Sequence, residues 1–493
     1  MINWKLILRV MGALLFIEAG LMFLCQIVCW CYGEGIHDFT PPLLLALLLG
    51  CIGLYAGKSP GQSMSRKDGY IVVSSVWVIF TLIGMLPFLL AGTVHDVASA
   101  FFETMSGFTS TGATIIDDLD SLPRGLLFWR SLTQWVGGIG IIFFTIAILP
   151  SFGVGEVKLF AAESTGPLHD KVHPRISVAA RWIGSVYLML TVLCTLSLLL
   201  CGMDWFDAVN YAFCTTATGG YATHSDLIHD VFNSPAIEYV LTAFMFLSGL
   251  NYTLFYYTIL KGRFRSFFQD AEAKAYLIIV GMATLVCTVT LVLNSPSHDV
   301  ELAFRESAFT VISMQTTTGF AVCDYTLWPV QLMPIILFVM FAGACSGSTS
   351  GGFKCVRLSI IYRILKNEFT CILHPRAILP VRLNNTVMQP SVIQTLIGFI
   401  TLFVGSLFVG AFVLALFGVS PNEVHPDFDY YEAFGLAMSS ISNVGPGMGY
   451  YGPVHSWAIL TPFAKVVCSF LMLIGRLEIF PILILFTRSF WKK

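Results

Sequence analysis

The chain has 493 residues, of which 56% are hydrophobic and only 11% are charged, and its mean hydropathy is +0.78. Water-soluble domains carry about 25% charged residues, so this composition argues against a soluble fold. The formal net charge of -2 says little by itself, because in a membrane protein the distribution of charge between loops matters more than its sum.

Charge-free apolar runs of transmembrane length recur along the chain. A helix that crosses a bilayer needs roughly 20 apolar residues. Runs of about that length or longer lie at 39–57, 69–95, 131–155, 182–203, 239–260, 275–298, 325–353 and 383–422. An earlier apolar stretch contains Glu18 and lacks a small-residue cleavage site, so we interpret it as a retained helix and not as a signal peptide. We therefore predict an all-α membrane protein.

Basic residues cluster in every second loop between these runs. The clusters lie at 5–9, 58–67, 158–181, 261–274, 354–382 and 488–493. The alternate loops contain only Arg124 and Arg305 as basic residues and are rich in Asp and Glu. Because basic loops stay on the cytoplasmic side, both termini are predicted to be cytoplasmic and the number of spans to be even.

Residues 1–66 are predicted to form a simple pair of N-terminal spans, after which the layout changes. Each later pair of spans encloses an outward-facing stretch of about 25 to 40 residues, which is typical of a half-helix that enters the membrane and returns. This pattern occurs four times. The predicted pore repeats are 67–155, 156–265 with a preceding cytoplasmic linker, 266–380, and 381–493. Together with the leading pair, they give about ten transmembrane helices.

Each half-helix is predicted to end in a short segment rich in hydroxyl groups and ending in glycine. The four segments are Thr109, Ser110, Thr111, Gly112; Thr216, Ala217, Thr218, Gly219; Thr316, Thr317, Thr318, Gly319; and Ser442, Asn443, Val444, Gly445. Backbone carbonyls from four converging loops can replace the water shell of a cation, and glycine permits the backbone that this requires. One such segment could simply allow close helix packing, but four matching copies favour an ion path.

A run of small residues interrupts the second span of repeat 3. Eight of its ten residues are Gly, Ser or Thr, in the order Gly343, Ala344, Cys345, Ser346, Gly347, Ser348, Thr349, Ser350, Gly351, Gly352. Since Gly costs about 1 kcal/mol in a helix relative to Ala, the run is predicted to unwind. A helix contact between small residues is the alternative. Lys354 follows the run, and we slightly favour an interfacial position for it over a role in stabilising a closed gate.

Arg476 lies well inside the last apolar segment. An ionisable side chain at that depth is a functional candidate, because its burial without a partner costs several kcal/mol. Glu478 and Glu103 are candidate partners, and the sequence does not decide between them.

These features together resemble the Trk/Ktr/HKT superfamily of potassium transporters, most closely its bacterial TrkH membrane subunits. The resemblance covers essentially the whole chain. Its most specific marks are the four hydroxyl-rich segments, the run from Phe341 to Lys354, and Gly475 to Glu478. It implies that potassium is the transported ion, bound only at the four segments, with their glycines lining a selectivity filter. It also implies that residues 343–352 and Lys354 form an intramembrane gate loop and that Arg476 faces the pore.

The resemblance also implies a location and partners. Members of this family lie in the bacterial inner membrane, surrounded by lipid, pair as homodimers, and bind a cytosolic nucleotide-binding regulatory subunit of the Trk or Ktr type. The basic segments 151–181, 261–274 and 354–382 are the natural contact surfaces. Gly153 and Gly155 lack the third glycine and the acidic residue of a dinucleotide site. We therefore expect neither a nucleotide site in this chain nor a nucleic-acid partner.

Other functions remain as alternatives. A secondary transporter for another solute usually has inverted repeats, whereas the four repeats here share one orientation. The fourth segment has fewer hydroxyls and is followed by Pro446, which favours weaker discrimination and keeps a less selective Na+/K+ translocator open. Ser346 lies in a sequence like that of a serine nucleophile, but no base is placed to activate it, so we expect no enzyme activity. Channel-like flow, proton coupling and sodium coupling all fit.

Overall fold

The computed structural model describes residues 2–58, 65–143, 176–255, 258, 262, 264–294, 299–377, 379–384, 386–419 and 428–492. Most of the predicted contact segment 151–181 lies outside these residues, and so do Lys261 and Arg263 of the segment 261–274.

The chain begins with two closely packed helices, Trp4–Cys31 and Thr40–Ala56. A β-carbon built at Gly12 would lie 2.7 Å from the carbonyl oxygen of Gly50, and one at Gly53 would lie 2.8 Å from that of Leu8. Small residues let membrane helices approach this closely. The glycines therefore hold the pair together where lipid offers no hydrophobic driving force.

Four units follow, each made of a first span, a half-helix and a second span. The first spans are Arg66–Gly84 with its continuation Leu86–Leu90, Ile176–Leu200, Ala271–Asn294 and Pro390–Phe417. The half-helices are Val97–Phe108, Trp205–Ala217, Val300–Gln315 and Tyr430–Ser442. The second spans are Arg124–Phe143, Pro235–Ser248, Met333–Ala342 and Pro462–Arg476.

Shorter elements connect these units. The α-helices are Ile228–Phe232, Tyr252–Phe255, Phe264–Gln269, Cys355–Leu373, Phe480–Leu483 and Arg488–Trp491. The 3-10 helices are Tyr325–Leu327, Val330–Leu332, Gly449–Tyr451 and Ile484–Phe486. A small antiparallel hairpin pairs Arg382–Leu383 with Thr386–Val387, with Arg382 opposite Val387.

The ten predicted spans all have a helical counterpart, but their lengths differ. Within the described ranges, five single helices are long and apolar enough to cross a membrane, and Pro462–Arg476 with Phe480–Phe486, bent by 114°, makes a sixth. Thr40–Ala56, Pro235–Ser248 and Val330–Ala342 are shorter apolar helices, and Arg124–Phe143 occupies the remaining position. The second spans of repeats 2 and 3 are short because their helices stop at Gly249 and Gly343.

Candidate functional site

All four half-helices begin in the same way, with a capping aspartate. In each case the side-chain oxygen accepts a backbone N–H of the first turn: Asp96 from Ser99 at 3.0 Å, Asp204 from Phe206 at 3.1 Å, Asp299 from Glu301 at 3.0 Å, and Asp429 from Glu432 at 2.9 Å. These caps satisfy free amide groups and place negative charge at the positive end of the helix. The opposite ends, which carry partial negative charge, lead into the hydroxyl-rich segments.

The backbone after each half-helix follows one pattern. A non-glycine residue in the left-handed region comes first: Ser110 at φ 50°, Thr218 at 52°, Thr317 at 58°, and Asn443 at 56°. Two positions later comes a glycine with positive φ: Gly112 at 90°, Gly220 at 79°, Gly319 at 84°, and Gly445 at 108°. Four segments with the same sequence of backbone conformations are structurally equivalent. We name 109–112, 217–220, 316–319 and 442–445 the filter segments, after the role that the sequence resemblance implies for them.

The second filter segment differs by one residue from the sequence alignment. Matching Thr-x-Thr-Gly selects Thr216 to Gly219, whereas the positive φ falls on Gly220. Gly219 occupies the position that Thr111, Thr318 and Val444 have in the other segments, directly before the glycine with positive φ. By backbone conformation, the glycine of repeat 2 that corresponds to Gly112, Gly319 and Gly445 is Gly220, which directly follows the Gly219 expected from sequence.

The filter segments contact one another in a closed ring, in chain order. A β-carbon built on each glycine would collide with the carbonyl oxygen of the residue that precedes the next glycine. The distances are 2.1 Å from Gly112 to Gly219, 1.9 Å from Gly220 to Thr318, 2.0 Å from Gly319 to Val444, and 2.8 Å from Gly445 to Thr111. Real β-carbons do not approach oxygen atoms this closely, so the ring excludes larger residues at these positions.

A cavity on the outer side of the ring is lined by all four ring glycines, together with His224 and Asp226. The imidazole of His224 bridges two acids, with its Nδ1 2.6 Å from Asp120 and its Nε2 3.2 Å from Asp207. The hydrogen bond with Asp207, supported by Asp120, raises the pKa of His224 to about 9. At neutral pH an imidazolium therefore offsets part of the negative charge at the outer cavity.

The small-residue run of repeat 3 is non-helical, as predicted, and it contacts two filter segments as well as Thr216, the residue directly before another. The Thr349 hydroxyl donates to the carbonyl of Thr216 at 3.0 Å. The Gly351 N–H donates to the Thr317 hydroxyl at 2.8 Å, and a β-carbon on Gly351 would lie 2.4 Å from the carbonyl oxygen of Ser442. We call residues 343–354 the inner loop.

Arg476 contacts the inner loop and the first filter segment. Its guanidinium donates to the carbonyl of Thr349 at 2.7 Å, to the hydroxyl of Ser110 at 3.2 Å and to the carbonyl of Gly137 at 3.2 Å. The inner loop and Arg476 together therefore contact three filter segments and the residue directly before the remaining one. Arg476 pairs with neither Glu478 nor Glu103 among the described contacts, so its positive charge stays at the inner end of the ring.

Lys354 is buried and ion-paired inside the protein, whereas from sequence we favoured an interfacial position for it. Its ammonium is 2.7 Å from a carboxylate oxygen of Glu478, whose other oxygen lies 2.7 Å from Arg357. Glu478 comes from the bend in the last span, 124 residues away from Lys354. The ion cluster Lys354, Arg357 and Glu478 therefore fixes the end of the inner loop to the last span.

Two further acidic residues make contacts that we did not predict from sequence, where Glu272 was not considered and Glu103 was considered only as a partner of Arg476. Glu272, on the first span of repeat 3, accepts the N–H of Ser346 at 2.5 Å and its hydroxyl at 2.9 Å, and so holds the other end of the inner loop. Glu103 pairs with buried Arg130 at 2.9 Å behind the ring. The available signal was a charged residue at the edge of each apolar run.

Comparisons with known proteins agree with this architecture. A family model described as TrkH, a cation transport protein, matches residues 35–493. The Trk system potassium uptake protein TrkH of Escherichia coli K12 is 33% identical over 495 residues, covering 100% of both chains. The protein named TrkG from the same strain is 32% identical over 489 residues, covering 95% of this chain and 98% of its own length.

A solved structure shows the same fold. The crystal structure of the potassium transporter TrkH from Vibrio parahaemolyticus matches with a TM-score of 0.89 and 30% sequence identity, covering 100% of both chains. The predicted fold class, an all-α membrane protein of repeated spans, is thereby confirmed. So is the predicted resemblance: the chain belongs to the TrkH family of cation transport proteins.

Proposed function

We propose that this chain takes up potassium ions across the inner membrane of a bacterium, through a selectivity filter formed by the four filter segments. The observation that carries the proposal is the closed ring, in which four equivalent backbone carbonyls each lie against a glycine of the neighbouring segment. Carbonyl oxygens replace the hydration shell of a cation without having to be deprotonated. Relatives over the full length are named potassium uptake proteins.

The half-helices contribute to the electrostatics of this path. Their C-terminal ends carry partial negative charge and lead into the ring, which favours a cation over an anion. Aspartate caps satisfy free amide groups at the opposite, N-terminal ends of all four helices. The second filter segment is proposed as Ala217 to Gly220, with Gly220 in place of Gly219 as the equivalent glycine.

The inner loop is proposed as the gate. It is hydrogen-bonded to Thr317 of the third filter segment and to Thr216, directly before the second, and Arg476 adds a positive charge beside it. An ion leaving the ring toward the cytoplasm meets both obstacles, so this arrangement is closed. Conduction requires the inner loop to move away from the filter segments and to break the hydrogen bonds that hold it there.

A homodimer on a cytosolic nucleotide-binding regulatory subunit is part of the same proposal. It rests on the resemblance to the family and on relatives that are named as proteins of a Trk system. The helix Cys355–Leu373, which directly follows the inner loop, is the most direct described route from such a partner to the gate.

The proposed function is tested by growth rescue of a potassium-uptake-deficient bacterium at low potassium. We expect the chain to restore growth and to support rubidium uptake, which serves as a tracer for potassium. Inserted protein that restores neither would contradict the proposal. Sodium uptake at a rate similar to that of potassium would support the less selective Na+/K+ translocator instead. The observation that favours this alternative is the hydrogen bond from the Asn443 amide to the Thr111 hydroxyl, at 3.0 Å, which makes the fourth filter segment unlike the others.

Removal of the charge on His224 is expected to improve potassium capture. As the external pH rises through about 9, the imidazolium is lost and Asp120 and Asp207 remain ionised at the outer cavity. We expect the KM for potassium to fall about two- to fivefold, which is the range that a partly exposed ion pair supports. The contribution of this bridge to the stability of the folded protein is complete below the ordinary histidine pKa of about 6.5. It is lost as the pH rises through the raised pKa of His224.

Rubidium uptake at external pH values on both sides of this pKa, with the internal pH fixed, measures the effect. His224→Gln should remove the pH dependence. The control His229→Gln alters another histidine of the outer surface, paired with Glu238 at 2.8 Å, and should keep the dependence. A KM in the parent protein that does not change with pH would contradict this prediction.

Glu478→Gln is expected to destabilise the folded protein. Loss of the carboxylate removes the negative charge that lies 2.7 Å from both buried Lys354 and buried Arg357, and breaking a buried pair in this way typically costs about 3–5 kcal/mol. The control Glu301→Gln removes a carboxylate whose side chain is 56% exposed and pairs with Arg305. Thermal unfolding in detergent should show a large loss of stability only for the first variant, and equal melting temperatures would argue against the cluster.

A further inference from the structure

Gln134 contacts the ring from behind. It lies in the second span of repeat 1, and its side chain is fully buried. Its amide nitrogen donates to the carbonyl of Gly219 at 2.8 Å, and its amide oxygen accepts the N–H of Tyr221 at 3.1 Å. One side chain therefore binds the backbone on both sides of Gly220.

The bond to Gly219 makes the ring asymmetric. The ring carbonyls belong to Thr111, Gly219, Thr318 and Val444. Within the part of the chain that the structure describes, only the Gly219 carbonyl accepts a side-chain hydrogen bond. A carbonyl with one lone pair committed to a fixed donor is less free to turn toward an ion than its three counterparts.

Gln134 also accounts for the extra glycine in the second filter segment. A β-carbon built at Gly219 would lie 2.4 Å from Cδ of Gln134. The other segments carry Thr111, Thr318 and Val444 at this position, and in the described part of the chain no glutamine side chain hydrogen-bonds to any of the three. The amide of Gln134 can therefore reach the Gly219 carbonyl only because residue 219 has no side chain.

The first filter segment is joined to the same residue. The Ser110 hydroxyl donates to the backbone carbonyl of Gln134 at 3.2 Å, and the Arg476 guanidinium donates to that hydroxyl. Gln134 thus lies between two neighbouring filter segments and is connected to the proposed gate through one hydroxyl group.

We infer that Gln134 is a positioning residue of the filter, whose amide fixes the Gly219 carbonyl and so sets the discrimination between potassium and the smaller sodium ion. This inference rests on the proposed function. The physical reason is that selectivity depends on the number, direction and flexibility of the carbonyls that coordinate the ion. A Gly219 carbonyl that is released from Gln134 can move inward and coordinate the smaller sodium ion. A carbonyl that Gln134 holds in place cannot make this movement.

The test compares two substitutions with a matched control in proteoliposomes. Gln134→Leu removes both amide bonds, whereas Gln134→Glu keeps the acceptor for Tyr221 and removes the donor to Gly219. The control Gln26→Leu removes an amide in the N-terminal helix pair, where it donates to the Thr40 hydroxyl at 2.9 Å. Potassium and sodium uptake are measured for each variant, with the amount of inserted protein and its melting temperature.

We expect the potassium-to-sodium uptake ratio to fall about fivefold in both Gln134 variants, as the loss of one hydrogen bond implies, and to stay at the parent value in Gln26→Leu. The Glu variant decides the matter if the Leu variant does not insert. A parent-like ratio in a folded Gln134 variant overturns the inference while leaving potassium transport in place. Absence of potassium uptake in the parent and in Gln26→Leu instead overturns the proposed function, and the inference with it.

Discussion

We expect Gly220→Ala to abolish potassium-selective uptake, while Gly202→Ala leaves it close to the parent level. Both glycines have positive φ, 79° and 91°, so alanine pays the same left-handed cost of about 1–2 kcal/mol at each. The surroundings differ. A β-carbon at Gly220 would lie 1.9 Å from the carbonyl oxygen of Thr318, whereas one at Gly202 meets nothing within 4 Å. Of these two variants, only Gly220→Ala therefore adds a steric collision to the cost of the backbone conformation.

Gly219→Ala provides a further comparison for the register of the second filter segment. Its β-carbon would meet the side-chain amide of Gln134, which can move more easily than a backbone carbonyl. We expect uptake to be reduced less than in Gly220→Ala. Rubidium uptake normalised to inserted protein measures all three variants. Equal activity of Gly220→Ala and Gly202→Ala would contradict the ring, and a more severe loss in Gly219→Ala would favour the alignment made from sequence.

Deletion of residues 347–350 is expected to raise the basal flux through the protein. The deletion removes Thr349, which holds the inner loop to Thr216 and accepts the bond from Arg476. A smaller change, Thr349→Val, keeps the shape and removes only the hydroxyl. The lost hydrogen bond is worth about 0.5–1.5 kcal/mol, which changes the ratio of open to closed protein by about two- to tenfold.

Rubidium efflux from proteoliposomes without a regulatory partner measures the closed-state leak. Thr401→Val is the matched control, because its hydroxyl bonds only to the carbonyl of Ile397 on an exposed helix face. We expect the leak to increase from the control to Thr349→Val and again to the deletion. Unchanged or reduced flux in inserted deletion protein would show that the inner loop does not block the path.

The coarse architecture could be predicted from the sequence because the signals are local. Apolar runs locate the spans, and the aspartates before each half-helix, such as Asp204 and Asp429, are ordinary helix caps. The fourfold repeat follows from comparing segments of one chain with each other. These inferences require neither side-chain packing nor contacts between distant residues.

The details of the site depend on contacts that a linear pattern does not contain. The Thr-x-Thr-Gly pattern selects Gly219, and only the positive φ of Gly220 shows that the next glycine is the one that corresponds to the glycines of the other segments. Lys354 resembles an interfacial residue until Glu478 approaches it from the last span. Gln134 is an ordinary polar residue in an amphipathic stretch, and its role depends on a carbonyl 85 positions away.

The bend of 114° in the last span joins the proposed gate to the C-terminal end of the chain. Arg476 holds the middle of the inner loop, and two residues later Glu478 holds its end through Lys354. A displacement of the loop must therefore pull on the terminal segment that starts at Phe480 or break these bonds. A spectroscopic label on that segment would then report movement of the proposed gate, without any chemical change in the proposed conduction path.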